Sequence, residues 1–246
     1  MTHPRNFNWR KIPKDYNLSD WLSKYPQDDW VWQMIFHGGR VKTEASSYMI
    51  TGLGNSRQTF STSYLYLHVP LDWFLNNPSQ DPTTLYIRWA EMMQAEHGTA
   101  GIGLIPAKDE IIKGETSRFA VEFSRIFPGA ELCDPLSQSG KVLKGLLSVN
   151  WLNKINDHYI KELGGTEKIK HELQGTNAKI YLYDGGAVIA AGPQAELCEE
   201  NELTIVPKSY QVAAKLLKPL RTTYGWGFWG ANNENVLEWL ARFDTK

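Results

Sequence analysis

The segment from Val149 to Pro193, VNWLNKINDHYIKELGGTEKIKHELQGTNAKIYLYDGGAVIAAGP, constrains the fold more than any other part of the chain. Leu152, Ile155, Tyr159, Ile160 and Leu163 recur at steps of three and four, which predicts one helical stripe. Gly164 and Gly165 stop that helix, because glycine adopts a left-handed C-cap without a Cβ clash. A second short helix is expected to start at Thr166 as N-cap, to turn Ile169 and Leu173 inward and to end at Gly175. Lys179–Tyr183 and Ala187–Ala191 then read as the strands of a hairpin around Asp184, Gly185 and Gly186, residues that tolerate positive φ. Such a segment is a frame. It carries almost nothing that could do chemistry.

The rest of the chain is organised around similar short elements. Residues 1–17 are polar and contain Pro4 and Pro13, so they read as an irregular N-terminal arm preceding a main unit over 18–246. Leu18–Tyr25 reads as a short helix closed by Pro26, followed by strands over Val31–Phe36, Ser47–Thr51 and Ser63–Val69. A helix over Leu85–Glu96 ending at Gly98 and a buried strand over Ala100–Ile105 complete this part. Later segments repeat the order: Leu203–Val206 ends at Pro207 as Leu65–Val69 ends at Pro70, and a helix over Tyr210–Arg221 answers Leu85–Glu96. Gly225–Phe228 then answers Gly101–Leu104. These matches suggest two related strand-strand-strand-helix-strand halves, 18–112 and 145–246, joined by 113–144. Within the joining segment Lys113–Phe127 reads as helix and Cys133–Gly140 as linker, and Asn235–Phe243 forms a terminal helix. The expected class is α+β, with mixed or antiparallel sheets flanked by helices in one compact unit.

Composition narrows the function. A chain of 246 residues with 42% hydrophobic content can bury a core without disulfides or metals. Its formal net charge of -1 provides no whole-protein field to gather nucleic acid or an anionic membrane, so direct binding to either is not expected. Cys133 and Cys198 form neither a CxxC pair nor a metal-ligand cluster and read as buried free thiols. The N-terminus has no apolar run of signal-peptide length, and no stretch approaches the ~18 apolar residues of a membrane span, which gives a cytoplasmic expectation.

Catalytic motifs fail one after another. Ser56 lies in GNSRQ without the second glycine of a nucleophile elbow. Ser139, Gly140 and Lys141 resemble the end of a phosphate loop, but Pro135 stands where its first glycine is required. Gly98, Gly101 and Gly103 have the wrong order for a dinucleotide fingerprint and are better explained by close packing. His158 and Glu162 lie one turn apart without an HExxH, so a solvated pair is expected. No cofactor or metal is called for. What stands out instead is charge: Glu196, Glu199, Glu200 and Glu202 crowd into AELCEENE, a loop suited to docking on a cationic partner, and Asp28 and Asp29 beside Trp30 and Trp32 form a second candidate.

The segments VNWLNKINDHYIKELGG, YDGGAVIAAGP, PKSYQVAAKLLKPLR and WLARFD, with FHGG, HGTAGIGL and RIFPGAEL before them, resemble the type VI secretion immunity proteins from about Trp21 to Asp244. The resemblance implies an inhibitor that neutralises a cognate toxic effector, encoded beside it, by stoichiometric binding and without catalytic residues of its own. Family-typical residues such as Trp151, Gly185, Tyr210, Arg221 and Arg242 look structural, and Arg221 and Arg242 are expected to pair with carboxylates, Asp244 among them. Two departures stand out. Where many relatives have a proline and a Gly-Asp pair after the AGP, this chain reads QAELCEENE, and before Trp21 it keeps only the polar arm. Some members of the resembled family are paired with nuclease effectors and others with effectors of unrelated chemistry; the missing signal sequence and the acidic loop together point to a nuclease acting in the cytoplasm as the expected effector. The alternatives are an enzyme of unrecognised type, which would show a deep pocket with convergent titratable groups, and a small-ligand-binding module, which would bind a small molecule independently of any partner.

Overall fold

The computed structural model describes residues 17, 31–39, 45–46, 48–55, 63–105, 119–132, 145–198, 206–222 and 232–244. Its architecture is α+β, with two antiparallel sheets and flanking helices. The first sheet is a meander of β1 (Val31–His37), β2 (Met49–Asn55) and β3 (Tyr64–His68), in that order. Its register aligns Phe36 with Ile50 and Ile50 with Leu67, so one apolar row crosses all three strands. Pro70 then caps α1 (Leu71–Asn76), and α2 (Pro82–Met93) follows. The Asp81 carboxylate accepts from the Thr84 N–H at 2.7 Å, and Pro82 occupies a first-turn position where its missing N–H costs nothing. Gln94, at φ 46°, closes α2 in the left-handed region, four residues before the Gly98 expected to end it.

The second sheet holds most of the core. Its order is β4-β5-β7-β6, built from β4 (His97–Ala100), β5 (Leu152–Asn156), β6 (Lys179–Tyr183) and β7 (Gly186–Ala190). Here the structure corrects two expectations. The predicted helix from Leu152 to Leu163 is strand β5 followed by the short helix α3 (Asp157–Glu162). Leu152, Asn153, Lys154 and Ile155 are all buried because β5 has strands on both edges and is covered on both faces, and such a run has no period that separates it from a helix. Asn156 makes the switch: its side chain accepts from the Tyr159 N–H at 3.0 Å and caps α3. The strand predicted over Ala100–Ile105 lies earlier, at His97–Ala100, and beyond it only Gly103 bridges, to Glu131.

The hairpin between β6 and β7 forms as expected, with Tyr183 opposite Gly186 and Gly185 at φ +93° in the two-residue turn. The second short helix is α4 (Thr166–Leu173); Thr166 is its first residue and Gly165 its cap, with Ile169 and Leu173 buried. Next come α5 (Lys208–Leu217), continued by a 3-10 turn over Lys218–Leu220, and α6 (Asn233–Leu240). Residues 119–126 are also helical. Tyr210, Ala213, Ala214 and Leu217 of α5 join the same core as Ile155, Ile160, Leu163, Ile169 and Ile189. Each fully buried Leu or Ile there contributes about 1.5–3 kcal/mol relative to exposure. A smaller cluster joins Ala120, Ala130 and Leu132 to Val236, Trp239 and Leu240 of α6.

The strand orders of the two proposed halves differ. The first half contributes β1-β2-β3 in sequence order, whereas β5 and β6 of the second both pair with β7 and are separated by two helices. In addition β4, from the first half, hydrogen-bonds to β5 of the second. The strand expected over Leu203–Val206 lies outside the described residues except Val206, and Gly225–Phe228 lies wholly outside, as do Leu18–Tyr25, Cys133–Gly140 and Ser56.

Asn153 ties the two central strands to the segment that precedes them. Its Oδ1 accepts from the Asn150 N–H at 2.8 Å, and its Nδ2 donates to the Asn150 and Ile189 carbonyls at 2.6 and 3.2 Å. Asn153→Ala removes these partners at a site that is 1% exposed. It should lower the unfolding free energy by about 2–4 kcal/mol, read as a lower urea midpoint at unchanged slope.

Candidate partner-binding surface

The segment that leads to the acidic stretch, Ala191–Cys198, is held by hydrogen bonds to the core. Beyond β7, the Ala191 N–H donates to the Trp151 carbonyl at 2.7 Å and the Trp151 indole donates to the Gly192 carbonyl at 3.0 Å. The Glu196 N–H donates to the Tyr210 hydroxyl at 3.1 Å, and the Gly129 N–H donates to the Leu197 carbonyl at 2.8 Å. Gly129 is required there, because a Cβ would collide with the Glu196 carbonyl oxygen. Cys198 is a buried free thiol at φ 56°, pushed up to about 11 by burial and by the Glu196 charge, so it stays protonated. Glu196 itself is only half-exposed. The remaining acidic candidates, Glu199, Glu200, Glu202, Asp28 and Asp29, lie outside the described residues.

Beneath this segment sit two arginines. Arg221 pairs with Asp244 as expected, through a fork of 2.7 and 2.9 Å, and Lys218 adds a third contact to the same carboxylate at 2.9 Å. These cations outweigh partial burial and hold the Asp244 carboxyl below the usual carboxylate range. Arg242 departs from expectation. Its guanidinium donates to the carbonyls of Pro128, Trp239 and Val149 instead of to a carboxylate, and it stacks on the Trp239 and Phe243 rings at 4.0 and 4.3 Å. Burial lowers its pKa to about 10, with the Glu131 charge opposing, which leaves it cationic at neutral pH. Both arginines fasten the C-terminus to the core. His158 and Glu162 form the exposed pair expected of them, 3.9 Å apart.

A second polar assembly lies at the end of the four-stranded sheet where β4 begins and β5 ends. The pairing of Gly98 with Lys154, and of Lys154 with Val188, puts Lys154 on the face crossed by α2. A Cβ at Gly98 would stand 3.0 Å from the Tyr86 hydroxyl, so α2 packs there directly on the backbone. Lys154 is 2% exposed, and its side chain makes no hydrogen bond or ion pair among the described residues. Burial lowers its pKa to about 8, while Glu96 and Asp157 act in the opposite sense through space. His97 is held down at about 4 by burial and by the Lys154 charge, so it is neutral at pH 7. Around this end stand the carboxylates of Glu91, Glu96, Asp157 and Asp184, all exposed, and the Gln94 amide joins α2 to the Asp184 carbonyl at 3.0 Å.

Among the described residues no group of three or more His, Cys, Asp or Glu is arranged to hold a metal ion, and no helix is long and apolar enough to cross a membrane. The TsiV family, described as Type VI immunity for VRR-NUC, matches residues 6–243, nearly the whole chain. This chain belongs to that family. A Pseudomonas aeruginosa T6SS protein, PA0821, shares the fold at a TM-score of 0.77, with 21% identity over 94% of this chain and 69% of the other. The comparison with curated proteins finds no match.

For a TsiV protein the acidic loop is the feature legible from sequence, since its glutamates are consecutive or nearly so. The acidic sheet end was not legible, because Glu91, Glu96, Asp157 and Asp184 converge only once β4, β5 and the hairpin have paired.

Burial lowers the Lys154 pKa to about 8 in the folded chain, from about 10.5 for a free lysine. Between these values the unfolded chain binds more protons, so stability rises with pH across that window and the burial penalty is fully present below it. Lys154→Met should therefore raise the unfolding free energy at pH 7 by about 1–3 kcal/mol and flatten the dependence between pH 8 and 10.5, measured by denaturation at stepped pH.

Proposed function

We propose that this chain is the immunity protein of a type VI secretion effector with a VRR-NUC nuclease domain, and that it protects the cell by binding that nuclease one-to-one. The observation that carries the reading is the family match over residues 6–243. Inhibition then needs a shaped, stable surface and no reactive group, which suits a chain whose buried arginine and cysteine are engaged in holding the loop base. A nuclease holds its substrate with Lys and Arg aimed at backbone phosphates, so carboxylates on an inhibitor compete for the same cations. The acidic loop from Glu196 to Glu202 is one surface for this, anchored at Glu196 by Tyr210. Nucleic acid is found in the cytoplasm, so the inhibitor acts there. No direct contact between this chain and nucleic acid is required.

Such a complex buries roughly 1,600 Å² in total, with aromatic or arginine anchors near its centre and acidic groups at the rim. Co-expression with the nuclease encoded beside the gene should restore growth, and the two chains should co-purify at equal stoichiometry. A nuclease that stays toxic, or two chains that elute separately, would sink the reading. Replacing Glu199, Glu200 and Glu202 by lysine should cut the association rate on the order of 10-fold at low ionic strength, measured by stopped-flow binding. An unchanged rate would remove that loop from the encounter.

A further inference from the structure

We propose that the acidic end of the four-stranded sheet, opposite the end from which the Glu196 loop leaves, is a docking surface for a cationic segment of the nuclease. The proposal rests on the immunity reading and identifies where part of the contact is made. Four exposed carboxylates converge there from three separate stretches of chain: Glu91 and Glu96 at and beyond the end of α2, Asp157 at the start of α3, and Asp184 in the hairpin turn. Their proximity is tied down by backbone contacts. The Asn156 N–H donates to the Glu96 carbonyl at 3.1 Å, the Asp157 N–H donates to the Gly185 carbonyl at 3.2 Å, and Gln94 bridges to Asp184. Asp157 and Glu91 both act on the Tyr183 hydroxyl, which burial and these two charges raise to about 12.

Carboxylates gathered on a surface usually spread apart or meet a cation. Here the cation present is Lys154, and it is misplaced for that role. It is 2% exposed, faces Glu96 and Asp157, and bonds to neither. Arg88, one turn earlier on α2, and Lys161 on α3 make no ion pair with any of the four among the described residues. The set therefore holds four negative charges against one positive charge, carried by a side chain that is almost wholly buried and makes no side-chain hydrogen bond among the described residues. Burial disfavours the charged form of Lys154, a stability cost that a fold carries more readily where a surface serves a partner.

A basic loop resolves both deficits. Its Lys or Arg side chains meet the carboxylates, and its main-chain carbonyl oxygens accept from the Lys154 ammonium. An apolar anchor adjoins the acids: Met92 is 79% exposed and Met93 48% exposed, directly before the Gln94 that contacts Asp184. Methionine side chains adapt to irregular partner surfaces, and exposed ones framed by charge fit a contact in which the acids steer and the thioethers pack.

The test titrates the full-length chain against the nuclease encoded beside the gene, inactivated at its catalytic site, at low and at physiological salt. Glu91→Lys combined with Asp184→Lys alters only exposed side chains, so unfolding should match the parent. Affinity should fall on the order of 100-fold at low salt. Should the reversed pair fail to fold, Glu91→Gln with Asp184→Asn removes the charge without adding any, and a clear loss of affinity with a shallower salt dependence supports the same conclusion. A parent chain that binds while both charge variants bind as tightly overturns this docking surface and leaves the immunity reading standing. A parent chain that does not bind the nuclease overturns both.

Discussion

Everything in the larger part of this fold hangs on the burial of two adjacent strands, β5 and β7. Between them they have neighbours on both edges and cover on both faces, and residues Gly186 to Ala190 are buried without exception. Gly186 shows how tight this is: a Cβ there would strike the Ile155 carbonyl. Once these strands are paired, α2 closes one face, the helices α3 to α5 complete the hydrophobic core, and the hairpin turn and the strand ends are delivered to one rim. The polar groups drawn into this core set its register. Asn153 links two strands, and Glu131 accepts from Ser148 and Asn150 at 3.1 and 3.2 Å, so a slip of one residue would strand several buried partners at once.

The ends of the sheet have been put to different uses. At one end the chain passes from β7 into a segment locked by Tyr210, Gly129 and the stacked Arg242, just before the glutamate-rich stretch of the sequence. At the other, acids and exposed methionines stand around Lys154, whose side chain is almost wholly buried and whose pKa burial lowers to about 8. The first end gains rigidity from hydrogen bonds to carbonyl groups. The second carries the cost of burying Lys154, which fits the docking role proposed for it.

Several elements were readable in advance because their determinants are local. The hairpin followed from Asp184-Gly185-Gly186 between alternating runs, α4 from its glycine boundaries, and α5 from residues spaced to one face. Arg221 reached Asp244 as its chemistry suggested. Arg242 did not reach a carboxylate: three carbonyls left over at the ends of helices and turns lay closer to its planar fork, and two rings offered it a stack. Lys154 and its acidic neighbours had no sequence signature, because the residues that meet there are separated by up to about ninety positions.

The sequence by itself determined the class of the fold, the hairpin, the glycine-bounded helix α4 and membership in an immunity family, since each depends on short-range preferences or on the order of segments. Only tertiary structure decided that Leu152–Asn156 is a strand and that four distant carboxylates share one rim. The physical reason is the same for both. A segment buried on every side carries no period, and its state is chosen by the neighbours that cover it; a surface made from strand ends exists only after those strands have paired.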